Sequence, residues 1–301
     1  MVEHPVSFDV LRTWFPDLTK EEKARLNALR DRKMAGVQDR AIPWSHGESR
    51  VMQWESARRA FLGQREPFSL IRIGDFETGL LGAFYFPAGN DAPNYTMMFE
   101  RAGYRAEAFF LRAPFIEAVR KSEFVGLFQN LGSQRKATVA LLAMLDCEIP
   151  FPSGIEIYSI YRMLVDGTLF EWLSGRRVLL VGGLAPKLEN LWKRNDFHKA
   201  HERFGSSDKV KIVGSVSVSS REDGGAWKDF YSTLEEVSRR DFDVALVACG
   251  AMAKPLTYQI RKLGKTAIDV GFIFDALAGE RLDAWRTRDV FREFHPVKPT
   301  W

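Results

Sequence analysis

Three apolar runs in the C-terminal half constrain this chain more than any other feature, because none of them alternates with polar residues. Arg177-Val178-Leu179-Leu180-Val181 ends in Gly182-Gly183, Val244-Ala245-Leu246-Val247-Ala248 ends near Gly250, and Thr266-Ala267-Ile268-Asp269-Val270 ends at Gly271. A strand with one wet face alternates; a strand buried on both faces reads as an unbroken apolar run, the mark of a parallel sheet covered by helices. The intervening stretches agree. Residues 188–193, 227–239 and 254–263 read as helices, and Val210-Lys211-Ile212-Val213-Gly214 as another strand. Upstream, Phe68-Ser69-Leu70-Ile71-Arg72-Ile73 and Phe124-Val125-Gly126-Leu127-Phe128 are two further strands, with a long helical region over about 97–121 between them. Residues 134–145 read as helix and 148–152 as an extended linker. The expectation is an α/β fold, a Rossmann-like, mostly parallel sheet flanked by helices. Such sheets bind ligands beyond the carboxyl ends of their strands, so chemistry is sought at that edge.

The remainder of the chain is organised around this unit. Residues 1–65 read as an N-terminal helical accessory layer. Thr19-Lys20-Glu21-Glu22 fits a capping box, and Val51, Trp54, Ala57, Ala60 and Phe61 recur at helical spacing, with Trp54 and Phe61 as core anchors. No sheet strand is expected before Phe68. Residues 66–280 form the α/β domain and 281–301 a tail packing on it. At 301 residues, with 46% hydrophobic and 27% charged, the chain can bury a full core and is not generally disordered. Its 43 basic and 39 acidic residues leave a net charge of only +4 and are interspersed, which argues against a nucleic-acid partner.

Cys147 and Cys249, each in an apolar run, read as buried reduced thiols. The five histidines are scattered, and no Cys-x-x-Cys or His-Glu-x-x-His pattern offers a zinc site. Hydrolase and P-loop signatures are absent. The start of the chain lacks the pattern of a signal peptide, and no apolar run approaches the roughly 20 residues that cross a bilayer. The expected location is the cytoplasm, with peripheral membrane contact left open.

The sharpest local feature is Arg72-Ile73-Gly74-Asp75-Phe76-Glu77, where two carboxylates follow a strand directly across a glycine. Asp75 and Glu77 so placed can share a hard divalent cation, Mn²⁺ or Mg²⁺, though the spacing alone admits an acidic helix cap as well. Both carboxylates are expected to be solvent-accessible. Arg72 offers a fixed positive charge there, or a partner for Asp75. Gly250-Ala251-Met252-Ala253-Lys254-Pro255 opens a helix whose free N–H groups favour a phosphate, with Lys254 reinforcing that contact or simply facing solvent. Asp269 lies inside an apolar strand, where an acid is costly unless paired or near a ligand. Asp275 serves either as a helix cap or as a base. Val181-Gly182-Gly183-Leu184-Ala185-Pro186 is not a dinucleotide fingerprint, and no acid follows the next strand to hold a ribose, so a nucleotide-binding oxidoreductase is disfavoured.

In order and spacing these pieces resemble the GT-D-type glycosyltransferases. That family carries an Arg-x-Gly-Asp-Gly-Glu-like segment with its Asp-x-Glu motif. Its second segment is matched here by Asp243-Val244-Ala245-Leu246-Val247-Ala248-Cys249-Gly250-Ala251-Met252-Ala253-Lys254-Pro255-Leu256 and Gly264-Lys265-Thr266-Ala267-Ile268-Asp269-Val270-Gly271. The resemblance, spanning about 68–278, implies transfer of a sugar from a nucleotide-sugar donor to a glycan or glycoprotein acceptor, in cell-surface polysaccharide or protein glycosylation. It implies a metal at Asp75 and Glu77, donor contacts from Arg72, Gly74, Gly250, Lys254 and Asp269, and a base at Asp275. Two positions depart from the family. Phe76 replaces the glycine between the acids, narrowing the donor pocket, and Phe272 stands where many members carry histidine. They make an inactive sugar-nucleotide- or glycan-binding module the alternative. The expected single site has Asp75, Glu77, Gly250 and Asp275 in one cleft.

Overall fold

In the computed structural model the residues described are 21, 28, 50–65, 67–74, 77, 112–127, 154–194, 209–218 and 229–278. Seven strands among them form one sheet: β1 (Ser69–Ile73), β2 (Phe124–Leu127), β3 (Gly154–Glu156), β4 (Arg177–Gly182), β5 (Lys211–Val216), β6 (Val244–Ala248) and β7 (Thr266–Asp269). Their order is β3-β2-β1-β7-β6-β4-β5, and every pairing is parallel. The helices are α1 (Arg50–Leu62), α2 (Arg112–Lys121), α3 (Ser159–Val165), α4 (Thr168–Leu173), α5 (Ala185–Lys193), α6 (Phe230–Ser238), α7 (Ala253–Lys262) and α8 (Ile273–Leu277).

Connection direction decides which face each helix covers. The steps β1 to β2 and β6 to β7 run the same way across the sheet, so right-handed crossovers put α2 and α7 on one face, where they pack together with α6. The step β4 to β5 runs the opposite way and places α5 on the other face, beside α8. Strand side chains divide with period two between two cores. Ile71, Ile73, Leu179, Val181, Ala245 and Val247 meet Phe115, Phe230, Leu256 and Ile260 on the first face. Leu70, Phe124, Val178, Leu180, Leu246 and Ile268 meet Phe61, Leu164, Trp172, Leu188 and Ile273 on the second.

Phe61 anchors α1 to this second core: it is fully buried, with ring centroids 5.7 Å from Phe68 and 5.0 Å from Trp172. No strand precedes β1 among the described residues. The side chain of Trp54, most of 1–49, the helix and linker expected over 134–152, Cys147, all five histidines and the 281–301 tail lie outside the described residues. The elements β3, α3 and α4 correspond to no sequence expectation. A three-residue edge strand and two helices of seven and six residues are too short for periodicity to declare.

One side-chain contact fixes the amino edge. Asp243, just before β6, accepts hydrogen bonds from the Arg177 backbone N–H at 2.9 Å and from its guanidinium at 2.7 Å, while the Asp243 N–H donates to the Arg177 carbonyl at 2.8 Å. The hydrogen bonds from Arg177 hold the Asp243 carboxyl at about 2, below its ordinary value. A depressed carboxyl pKa stabilises the fold above its unfolded value of about 4 and ceases to do so as pH falls through the folded value. Asp243→Asn should therefore lower Tm modestly at pH 7, by about 2 °C as befits a half-exposed pair. The gap from the parent protein should close as pH is lowered from 4 towards 2, measured by thermal unfolding across that range.

Candidate functional site

At the carboxyl edge the centre of the sheet is β1 beside β7, with β6 next, and all three strands deliver charged groups to one place. Arg72 comes from β1. Its side chain lies on the face of Leu70, and its register partner on β2 is Gly126. A Cβ at Gly126 would stand 3.1 Å from Arg72 Cγ and 3.3 Å from the Ile157 backbone, so this glycine leaves the space through which the arginine runs. The guanidinium then reaches the turn after β7. There Nη1 donates to the Tyr161 hydroxyl at 2.6 Å, and Nη2 lies 3.6 Å from Asp269 Oδ1. Gly271, at φ +49°, passes directly beneath, and a Cβ on it would sit 1.7 Å from Nη2. Only glycine fits this position, on both counts.

Lys254 arrives from the opposite face on the first turn of α7. Its ammonium is 2.7 Å from Glu77 Oε1, 3.0 Å from Asp269 Oδ2 and 3.1 Å from the Gly250 carbonyl, which accepts a hydrogen bond from it. Gly250, at φ +59°, sets the turn that aims this carbonyl. Glu77 Oε2 accepts the Gly74 N–H at 2.8 Å, folding the acid back over the end of β1. Asp269 Oδ1 also accepts the Gly271 N–H at 3.1 Å. Among the described residues the result is a buried cluster of two cations and two anions, with net charge zero. Lys254 is 3% exposed, Asp269 0%, Glu77 8% and Arg72 9%.

Burial alone would lower the pKa of both cations, but their neighbours outweigh it. Asp269 and Glu77 hold Lys254 above its ordinary value, and Tyr161, Asp269 and Glu77 do the same for Arg72. Burial raises the Tyr161 phenol, against the pull of Arg72. Cys249, reduced and half-buried at the end of β6, has its thiol pushed well up by burial and by Asp269.

The sequence-derived residues therefore fare differently. Arg72, Gly74, Glu77, Gly250, Lys254 and Asp269 meet in one place. Asp75 and Phe76 lie outside the described residues. Asp275 is half-buried in the first turn of α8, directly after the β7 turn. Two expectations need correction. Glu77 is not solvent-accessible, because the Gly74 N–H and the Lys254 ammonium draw its carboxylate inward. Lys254 does not face solvent, because its ammonium is drawn in among Glu77, Asp269 and the Gly250 carbonyl. The costly acid in the strand, Asp269, is paired twice over.

Tyr161 and Gly126 were not foreseen. The signal for Gly126 was present, since an isolated glycine within an apolar strand marks a close approach of another group. Tyr161 had none, being a lone tyrosine in a short helix. At the other glycine turn, a Cβ on Gly182 would lie 2.4 Å from the Ala248 carbonyl. That glycine is there for strand-to-strand packing, and a pyrophosphate is not needed to explain it.

Lys254→Met should leave Glu77 and Asp269 buried without their main countercharge and cost about 3–5 kcal/mol in urea unfolding at pH 7. The raised Lys254 pKa means its contribution is complete below the unfolded value of about 10.4 and is lost as pH rises beyond it. The parent and variant curves should therefore converge on the alkaline side.

A family model described as a GT-D fold-like domain matches residues 51–277. Among solved structures, the chain is similar to a selenomethionine-substituted domain of unknown function 1792, at 15% identity and TM-score 0.49, covering 82% of each chain. It is also similar to a structure described as a new glycosyltransferase from Streptococcus sanguinis, at 16% identity and TM-score 0.45, covering 76% of this chain and 81% of that one. A third is described as a highly conserved domain of unknown function 1792 with a distinct glycosyltransferase fold, at 15% identity and TM-score 0.47, covering 82% and 83%. No curated protein matches the chain by sequence.

Proposed function

The chain belongs to the GT-D-like family, and we propose that it is a glycosyltransferase moving a sugar from a nucleotide-sugar donor to a glycan or glycoprotein acceptor. The observation that supports this reading best is the convergence of Arg72, Glu77, Lys254 and Asp269 at the carboxyl edge, where β1 and β7 meet. Transfer breaks the bond between the anomeric carbon and a diphosphate oxygen, so negative charge grows on the leaving group. A site that stabilises it must present fixed positive charge without reorganising.

Arg72 is suited to that task. Among the described residues its Nε is buried without a hydrogen-bond partner, and its nearest carboxylate is at a loose 3.6 Å. Lys254 contributes as a fixed charge behind Glu77. The start of α7 lies at the same edge but offers a phosphate few free N–H groups, since the Ala253 N–H is bonded to the Gly250 and Ala251 carbonyls and Pro255 has none. In this reading Asp275 accepts the proton of the acceptor hydroxyl as its oxygen attacks the anomeric carbon.

A divalent ion fits the donor set in chemistry. Glu77 offers hard carboxylate oxygens, each with one described polar partner and therefore one lone pair to spare. Among the described residues no group of three His, Cys, Asp or Glu side chains could hold a metal on its own. In this reading Mn²⁺ or Mg²⁺ would be held by Asp75 and Glu77 together. Such an ion would neutralise part of the leaving diphosphate. The family, with the absence among the described residues of a helix long and apolar enough to cross a membrane, fits work on surface polysaccharide or protein glycans assembled from cytoplasmic donors.

The test is a screen of nucleotide sugars for thermal stabilisation with and without Mn²⁺, followed by turnover read as release of the nucleoside diphosphate. Asp75→Asn should reduce turnover on the order of a hundredfold with little change in Tm. Glu77→Gln should reduce both, since it also leaves Lys254 short of a countercharge. Full turnover in EDTA would remove the metal from the reading, and donor binding without any turnover would turn it into a binding module.

A further inference from the structure

The residue that follows the buried cluster is out of keeping with it. Phe272 is 42% exposed, one of five large apolar side chains so exposed among the described residues. Among them it alone adjoins the charge cluster. Leu62 and Leu263 end helices, Val213 lies on the edge strand β5, and Tyr231 opens α6 with its ring stacked edge-on against Phe230 at 5.1 Å.

Phe272 is also held in place. Its N–H donates to the Tyr161 hydroxyl at 3.2 Å, the same oxygen that accepts the Arg72 hydrogen bond at 2.6 Å. The preceding residue is Gly271, locked under the guanidinium, and the following residues begin α8 with Ile273 and Phe274 buried. Its backbone is thus secured on both sides, and its apolar ring is presented to solvent at the rim of the site.

We propose that Phe272 is the platform for the acceptor, a ring on which the C–H face of the acceptor sugar stacks, and that Tyr161 is the residue that positions it. This rests on the glycosyl-transfer reading above. A phenyl ring has nothing to offer a diphosphate, and the charges a donor needs lie in the buried cluster beneath. The acceptor must approach from solvent, and Phe272 stands on that side. Asp275, three residues on in the same turn-helix segment, is the base that this acceptor would meet.

The experiment is steady-state kinetics with each substrate varied separately. Phe272→Ala should raise the acceptor KM about five- to tenfold, leaving the donor KM and Tm unchanged, and Phe272→Trp should restore it. Tyr161→Phe should raise the acceptor KM as well. The Tyr161→Phe/Phe272→Ala double variant should show no more than the effect of Phe272→Ala alone, because positioning has no value once the ring is gone. An unchanged acceptor KM in Phe272→Ala, or a rise confined to the donor KM, overturns the platform and leaves glycosyl transfer standing. Additive effects in the double variant overturn the role of Tyr161. A parent protein that turns over no nucleotide sugar overturns glycosyl transfer itself, and the platform with it.

Discussion

Asp269 is the group on which this site depends. A carboxylate with no exposure is tolerated only where charge and hydrogen bonds replace the water it has lost. Here Lys254 approaches from one face of the sheet at 3.0 Å, Arg72 from the other at 3.6 Å, and the Gly271 N–H from the turn. Each partner belongs to a different piece of the fold. The acid at the end of the last strand thus ties the first strand, the helix after β6 and the turn before α8 to one point. Glu77 shares Lys254 and completes the neutrality of the set.

That arrangement needs an all-parallel sheet. Parallel strands bring all their carboxyl ends to one edge, so residues nearly 200 positions apart in sequence become neighbours without any local motif joining them. It also needs the period-two alternation of strands, which sends Arg72 to one face while its neighbours Ile71 and Ile73 fill the other. The two glycines beside Arg72 have distinct tasks. Gly126 makes way for the stem of the side chain, and Gly271 for its head.

Much of this was legible in the residue order. Continuous apolar runs announced β4, β6 and β7 within a residue of their ends, and the carboxyl edge is where Arg72, Glu77, Lys254 and Asp269 come together. Asp269 carried its own signal, as an acid in an apolar strand. What could not be read was pairing. Nothing in Gly-Ala-Met-Ala-Lys-Pro says whether the lysine points to water or beneath the turn, because its partners Glu77 and Asp269 are contributed by other strands. Tyr161 was invisible for the same reason. It sits in a seven-residue helix, and its hydroxyl and ring reach Arg72 and the Phe272 N–H, both far away in sequence. Local chemistry shows in local sequence, whereas a long-range charge balance shows only when the sheet is assembled.

The position of β1 has a consequence for synthesis on the ribosome. Its partner on one side, β2, follows after some fifty residues, but its partner on the other, β7, emerges only near residue 269, where Phe68 N–H and Thr266 Oγ1 meet at 3.3 Å. Until then the strand that will lie at the centre of the sheet is an unpaired edge, with Ile71 and Leu70 ready to pair with another chain. Closing so long a loop is slow compared with local helix formation. The sheet thus comes together as two sets of strands, β3-β2-β1 and β6-β4-β5, that β7 joins, and the charge cluster, which needs Asp269 at the end of β7, cannot form before that joining.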